Sequence, residues 1–277
     1  MHAIGKTIDG NEIRFDAVEA KIKINGASQY LISLEFVDCE ELKYLQCSKN
    51  QLTKLDLTNC EKLEYLYCAK NQLTELDLSN CKKLISIYCY LNQLTELDLS
   101  NCKKLVNLDC GKNQLTELNV SNCKKLINLD CRKNQLTELD LSNNDELKYL
   151  YCAQNQLTEL DLSNNEELKK IYCYLNKLIK LDVSNCKKLA ELDFSKNQLT
   201  CIDILDCKRL TKLCCKNNQL TDIDISNCVR LSALICSYNQ LTKLDVSNCK
   251  KLRLLKCSGN QFVELDMYTI FKILKRI

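Results

Sequence analysis

The chain has 277 residues, 45% of them apolar, and 39 Lys+Arg against 36 Asp+Glu, for a net charge of +3. So small a charge argues against a nucleic-acid partner, no apolar run is long enough for a membrane span, and the opening MHAIGKTIDGNEIRF lacks the apolar stretch of a secretory leader. Twenty-one cysteines without such a leader point to a cytoplasmic, reducing compartment in which thiols stay free.

Residues 1–30 are expected to form an N-terminal cap, a β-hairpin that turns within Ile8-Asp9-Gly10-Asn11-Glu12-Ile13. From Leu31 the leucines fall into a frame that holds to residue 267, starting with a degenerate half-repeat at Leu31, Leu34, Phe36 and Cys39. Asparagine occupies 50, 71, 92, 113, 134, 155, 176, 197, 218, 239 and 260, a fixed period of 21. Such a period makes the region a solenoid, one stacked domain whatever its length. Each unit reads LxxLxCxxNQ followed by LTxLDLSNCxx.

In x-L-x-C and x-L-D-L, apolar side chains alternate with polar ones, the signature of half-buried strands. Two short strands per coil are therefore expected, with Leu66, Cys68, Leu76 and Leu78 inside, and about eleven coils. Neighbouring coils should lie about 4.8 Å apart and stack like residues in register. The recurrent asparagine is expected to face inward and satisfy the backbone where the chain leaves the strand. Solenoid ends need covering. Ile270, Ile273, Leu274 and Ile277 have helical spacing, with Lys272, Lys275 and Arg276 between, so 268–277 is expected to be a short capping helix. With both ends capped, a monomer is expected.

Most cysteines form two columns. Cys47, Cys68, Cys89, Cys110, Cys131, Cys152, Cys173, Cys215, Cys236 and Cys257 make one, in which Phe194 replaces Cys once; a position that accepts phenylalanine is an apolar interior position. Cys39, Cys60, Cys81, Cys102, Cys123, Cys186, Cys207, Cys228 and Cys249 make the other, interrupted by Asn144 and Asn165, so a hydrogen-bonding turn is expected there. Columns do not converge on a point as metal ligands must. The only histidine, His2, leaves a catalytic thiol without an activating base. Neither a metal nor a cofactor is expected, nor a catalytic site. Cys201 and Cys214 lie outside the columns, where solvent exposure is expected.

With a uniform core, function is expected on the outward positions of the first strand. Tyr44, Tyr65, Tyr67, Tyr88 and Tyr90 cluster early and Tyr149, Tyr151, Tyr172 and Tyr174 later, with Asn107, Asp109, Asn128, Asp130, Arg132 and Gly111 in the intervening repeats. Tyrosine supplies contact area at low entropic cost, although tyrosines can also serve only to brace neighbouring strands. The second half carries an aspartate column, Asp56, Asp77, Asp98 and onward, offset by lysine pairs such as Lys82-Lys83. A solvated, balanced charged face fits it better than a calcium ladder, which would need more glycine.

The phrase Leu63-x-x-Leu66-x-Cys68-x-x-Asn71-x-Leu73 resembles the leucine-rich repeat, and the nested ten-plus-eleven unit resembles its IRREKO-like 21-residue subclass, across about Leu31 to Ile270. That resemblance implies a right-handed solenoid whose coils share a parallel sheet, with partners bound on the outward face of that sheet. The leading expectation is a non-enzymatic module that recognises an as yet unidentified protein partner through the tyrosine-bearing face. Carbohydrate binding, a purely structural solenoid, and the targeting module of an effector delivered into a host cell are the alternatives.

Overall fold

The computed structural model describes residues 1–24 and 30–263, divided between two compact units, Met1–Leu136 and Thr137–Ile277. The first unit opens with an antiparallel sheet ordered β2-β1-β4, of β1 (His2–Thr7), β2 (Glu12–Asp16) and β4 (Leu31–Val37). Gly10, at φ 83°, makes the β1–β2 turn and donates its N–H to Thr7 O, a left-handed conformation that glycine adopts without Cβ strain. Leu31 serves two structures: it begins β4, and its N–H also goes to Asn50 Oδ1, the bond that Leu52 makes to Asn71 one coil later.

A parallel ladder follows. β3 (Lys21–Lys23) pairs with β5 (Tyr44–Gln46), and then β6 (Tyr65–Tyr67), β7 (Ser86–Tyr88), β8 (Asn107–Asp109) and β9 (Asn128–Asp130) add in turn. The second unit repeats the arrangement with β10 (Tyr149–Tyr151), β11 (Lys170–Tyr172), β12 (Glu191–Asp193), β13 (Lys212–Cys214), β14 (Ala233–Ile235) and β15 (Leu254–Lys256), again parallel and in register. Each unit is a β-solenoid, about eleven coils in all, and no helix occurs among the described residues. The expected capping helix at 268–277 lies outside them.

The core is the ladder predicted from the repeat. Leu66 and Cys68 are fully buried and Leu76 and Leu78 nearly so; Phe194, in the cysteine column, is also fully buried. Burying a leucine in every layer stabilises each coil by roughly 2 kcal/mol per side chain. The asparagine ladder supplies the polar counterpart: Asn71 Nδ2 donates to Cys68 O (2.9 Å) and Cys47 O (3.1 Å), while its Oδ1 accepts Leu52 N (3.2 Å). Asn176 does the same in the second unit with Cys173 O, Cys152 O and Leu157 N. In the second cysteine column Cys207 Sγ faces Val183 O (3.7 Å) and Cys186 O (3.9 Å), and Asn165 Nδ2 occupies the equivalent place against Leu141 O and Asn144 O. Cysteine and asparagine are interchangeable there because both donate to the coil before.

The expectation of two strands per coil is corrected: among the described residues each coil holds one. The LTxLDLSNC half is extended and buries its leucines, but side chains and local turns take many of its backbone groups. Asn92 Oδ1 accepts Leu73 N, Asp77 Oδ1 accepts Ser79 N (2.9 Å), and Asn80 Nδ2 reaches back to Thr58 O. Such local bonds compete directly with ladder bonds. The aspartates are thus exposed turn caps, and the Ser79 N–H and hydroxyl hold the Asp77 carboxyl below its usual range.

Candidate functional site

Strand burial alternates half-buried, buried, half-buried in nearly every coil, so the first and third strand residues form the outward face of each ladder. In the first unit Tyr44 and Tyr65 hold the first position and Tyr67, Tyr88, Asp109 and Asp130 the third; Tyr90 and Arg132 sit two residues further on. Their rings pack on one another. Tyr67 and Tyr88 stack at 4.9 Å with planes 7° apart, and Tyr44 lies 5.2 Å from Tyr67 and 6.3 Å from Tyr65. Lys23 and Lys70 place their ammonium groups 5.7 and 5.8 Å from the Tyr44 and Tyr90 rings, within cation–π range.

Next along the ladder come paired polar residues. Asn128 Nδ2 donates to Asn107 Oδ1, and Asn107 Nδ2 donates to Ser86 Oγ (3.0 Å). Asp109 and Asp130 are register partners. Asp109 Oδ1 accepts Gly111 N at 3.2 Å, while Arg132 covers Asp130 through Nε at 2.9 and 3.0 Å. Burial, reinforced by the neighbouring Asp130 charge, pushes the Asp109 carboxyl up to about 6. Gly111 sits in a tight space: a Cβ there would lie 3.1 Å from Arg132 O and 3.3 and 3.4 Å from the two aspartate Oδ1 atoms.

In the second unit Tyr149, Tyr151 and Tyr172 face outward, with Tyr174 two residues beyond Tyr172. Tyr151 meets Tyr172 edge-on at 5.3 Å. The Tyr172 hydroxyl donates to Glu191, which also pairs with Lys170 (3.0 Å) and Lys212 (3.8 Å). Burial opposes ionisation of Glu191, but Tyr172 and the two lysines outweigh it and hold its carboxyl below the usual range. Burial and the Glu191 bond push the Tyr172 phenol well up. All nine tyrosines are thus half-buried, exposing part of each ring.

Two features lay beyond the sequence reading. β3 adds a strand to the first ladder, and only the alternation in Lys21-Ile22-Lys23-Ile24 hints at it. The other is a polar cluster at Asp193, whose Oδ1 accepts from Ser195 N (3.0 Å) and Ser195 Oγ (2.5 Å), with Ser195 Oγ 2.8 Å from Cys214 Sγ. Cys214 is therefore only half-exposed, a correction to the expected solvent-facing thiol, and burial raises its pKa; Cys201 is exposed. Burial also pushes the core thiols up, to about 12 for Cys47 and Cys81. No group of three or more His, Cys, Asp or Glu among the described residues is placed to hold a metal ion, and no described helix is long and apolar enough to cross a membrane.

The profile for Leucine Rich repeats (2 copies) matches residues 40–80 and 187–228. No curated protein matches the chain by sequence. Among solved structures, the functional domain of InlJ from Listeria monocytogenes, which includes a cysteine ladder, is 34% identical with a TM-score of 0.84 over 90% of this chain. This chain covers 56% of that domain, a little over half its length. The internalin inlF of the same organism shares the fold at 24% identity and TM-score 0.74, over 92% of this chain and 85% of its own. The leucine-rich effector YopM from Yersinia pestis is 25% identical, with a TM-score of 0.71 over 89% of this chain and 68% of its own. With its unbroken 21-residue period, one parallel strand per coil and the asparagine ladder, the chain is a leucine-rich repeat protein.

Proposed function

We propose that the chain is a non-enzymatic protein-interaction module that engages a protein partner through the outward tyrosines of its ladders. The observation that carries this is the packing of those tyrosines. Tyr44, Tyr65, Tyr67 and Tyr88 in one unit, and Tyr151 with Tyr172 in the other, hold one another in place while leaving ring surface open. Rings already ordered lose little entropy on binding, so their contact area converts efficiently into affinity. The fold class supports the reading, since leucine-rich repeat proteins typically serve as protein-interaction modules. A non-catalytic role agrees with core thiols whose pKa burial raises. The module works as a monomer in a reducing compartment, the cytoplasm of its own cell or of a host, where the 21 thiols stay free.

The test is capture from a cytoplasmic extract on wild-type protein and on a Tyr67→Ser, Tyr88→Ser, Tyr151→Ser, Tyr172→Ser variant of unchanged circular dichroism. A protein held by the wild type and by a control with Asp77→Asn and Asp98→Asn, but lost from the tyrosine variant, is the expected result. Equal retention by all three would make the tyrosines scaffold and refute the proposal.

A further inference from the structure

Most outward residues of three successive coils in the first unit recur four repeats later in the second, the exceptions in the strands being Ser86 against Lys170 and Asn107 against Glu191. Tyr65-Leu66-Tyr67-Cys68-Ala69 matches Tyr149-Leu150-Tyr151-Cys152-Ala153, and Ile87-Tyr88-Cys89-Tyr90-Leu91 matches Ile171-Tyr172-Cys173-Tyr174-Leu175. The third coil contributes Leu108-Asp109 in one unit and Leu192-Asp193 in the other. Inward residues repeat because the core demands it. The outward ones have no such reason, for the coil at Asn128, Asp130 and Arg132 uses the same backbone with none of these aromatics.

The register makes each recurrence a single surface element. Tyr67, Tyr88 and Asp109 are ladder partners in adjacent coils, as are Tyr151, Tyr172 and Asp193. Both aspartates are anchored alike, Oδ1 accepting the N–H of the residue two further on, Gly111 or Ser195. These bonds use Oδ1 in both and leave Oδ2 to other partners. A fixed carboxylate oxygen beside partly exposed tyrosine rings complements a cation with a flat or apolar body.

Cations already lie against neighbouring groups of the same kinds within the molecule. Arg132 lies on Asp130, the next residue in the Tyr67–Asp109 column, and Lys70 sits by the Tyr90 ring. In the second unit Lys216 stands 5.3 Å from the Tyr238 ring.

Building on the interaction-module reading, we propose that each unit carries one copy of an arginine-recognition element, Tyr67-Tyr88-Asp109 with its rings stacked and Tyr151-Tyr172-Asp193 with its rings edge-on, so that the chain binds basic protein segments at two related sites. The guanidinium stacks on the tyrosines and donates to aspartate Oδ2; Leu91 and Leu175, both partly exposed beside the second tyrosine coil, border the arginine stem. Arginine suits the site better than lysine because its planar head can stack and donate at once.

Titration calorimetry of the full chain with the peptide Ac-GSRGSRGSRGS-amide tests this, against the same peptide with citrulline at each arginine, which keeps the shape and removes the charge. The expected result is two sites per chain for the arginine peptide and binding at least roughly tenfold weaker for the citrulline one, as befits a charge-assisted bond. Asp109→Asn and Asp193→Asn should each leave one site and together none, with Asp98→Asn unchanged. Equal binding of both peptides, no binding of the arginine peptide, or two sites surviving in the double variant would overturn the proposal. A captured partner that is lost from the tyrosine variant but kept by the double Asn variant would sink the arginine element alone and leave the interaction module standing.

Discussion

Asp109 offers a quantitative test, because its environment penalises the charge that it carries at neutral pH. Burial and Asp130, its register partner, raise the carboxyl from its ordinary 3.8 to about 6, and Arg132, Lys112 and the Gly111 N–H offset this only in part. Tyr88, on the strand before, presents a ring rather than a charge. The sign follows: a carboxyl whose folded pKa is raised is most favourable to folding below 3.8, and that contribution is lost as pH rises through about 6. At 1.36 kcal/mol per pH unit the shift corresponds to about 3 kcal/mol, which partial solvent access reduces to about 1–2 kcal/mol. Asp109→Asn keeps the shape and the Gly111 bond while removing the charge, so it should stabilise the fold by that amount at pH 7.5. The gap to wild type should close by about pH 3.5. Urea denaturation followed by circular dichroism at the two pH values measures it. A variant less stable than wild type at pH 7.5, or one whose advantage is equal at both pH values, would refute the reasoning.

Three further outcomes follow from the core. Asn134→Ala removes the acceptor of Leu115 N and one donor each to Cys110 O and Cys131 O, although Cys110 O keeps Asn113 Nδ2; with one buried N–H unsatisfied and two hydrogen bonds lost, urea denaturation should show a loss of about 2 kcal/mol, whereas no loss would mean that the ladder is dispensable. Asn165 Oδ1 is buried and has no hydrogen-bond partner among the described residues, while cysteine fills the same column elsewhere, so Asn165→Cys should raise the urea midpoint by an amount equivalent to about 1 kcal/mol; a lowered midpoint would contradict this. Maleimide labelling of the native protein at pH 7 should modify Cys201 first, since it is exposed and the column thiols are largely buried with raised pKa. Cys214 should lag because burial raises its pKa and Ser195 lies against it, and rapid labelling of five or more thiols would show the core to be open.

Much of the fold is legible in the sequence because a strict period over-determines it: Leu66, Cys68, Leu76 and Leu78 could be placed inside from spacing alone. Where the reading failed, alternation was asked to decide something it does not encode. The Leu76-Asp77-Leu78 phrase has strand periodicity, yet periodicity fixes which side chains point inward and says nothing of who takes the backbone N–H groups. Asp77 and Asn92 accept two of them and Asn80 donates to the Thr58 carbonyl, so no second strand forms. β3 escaped for the opposite reason, since Lys21 pairs with Tyr44 at a spacing of 23 rather than 21, outside the frame. For the candidate site, alternation placed the tyrosines outward, but their mutual packing, the Glu191 hub and the Asp193–Ser195–Cys214 contacts depend on rotamers, which no spacing rule carries.

The two faces of each ladder obey different energetics. Inward positions are occupied by whatever fills the layer and completes its hydrogen bonds, so leucine, cysteine and asparagine recur with little freedom. Outward positions contribute less: a tyrosine pair such as Tyr67–Tyr88 adds about 0.5–1.5 kcal/mol beyond its buried area, and Asp109 beside Asp130 works against folding at neutral pH. If stability alone had shaped this face, an asparagine at 109 would serve better, since it keeps the turn and discards the repulsion. The carboxylate is retained at a cost of about 1–2 kcal/mol, next to rings that are ordered yet incompletely covered. A cationic partner of the kind proposed would neutralise the charge that the fold disfavours. Binding of an arginine peptide should therefore stabilise wild type more than Asp109→Asn, which links the calorimetric and the denaturation measurements through one side chain.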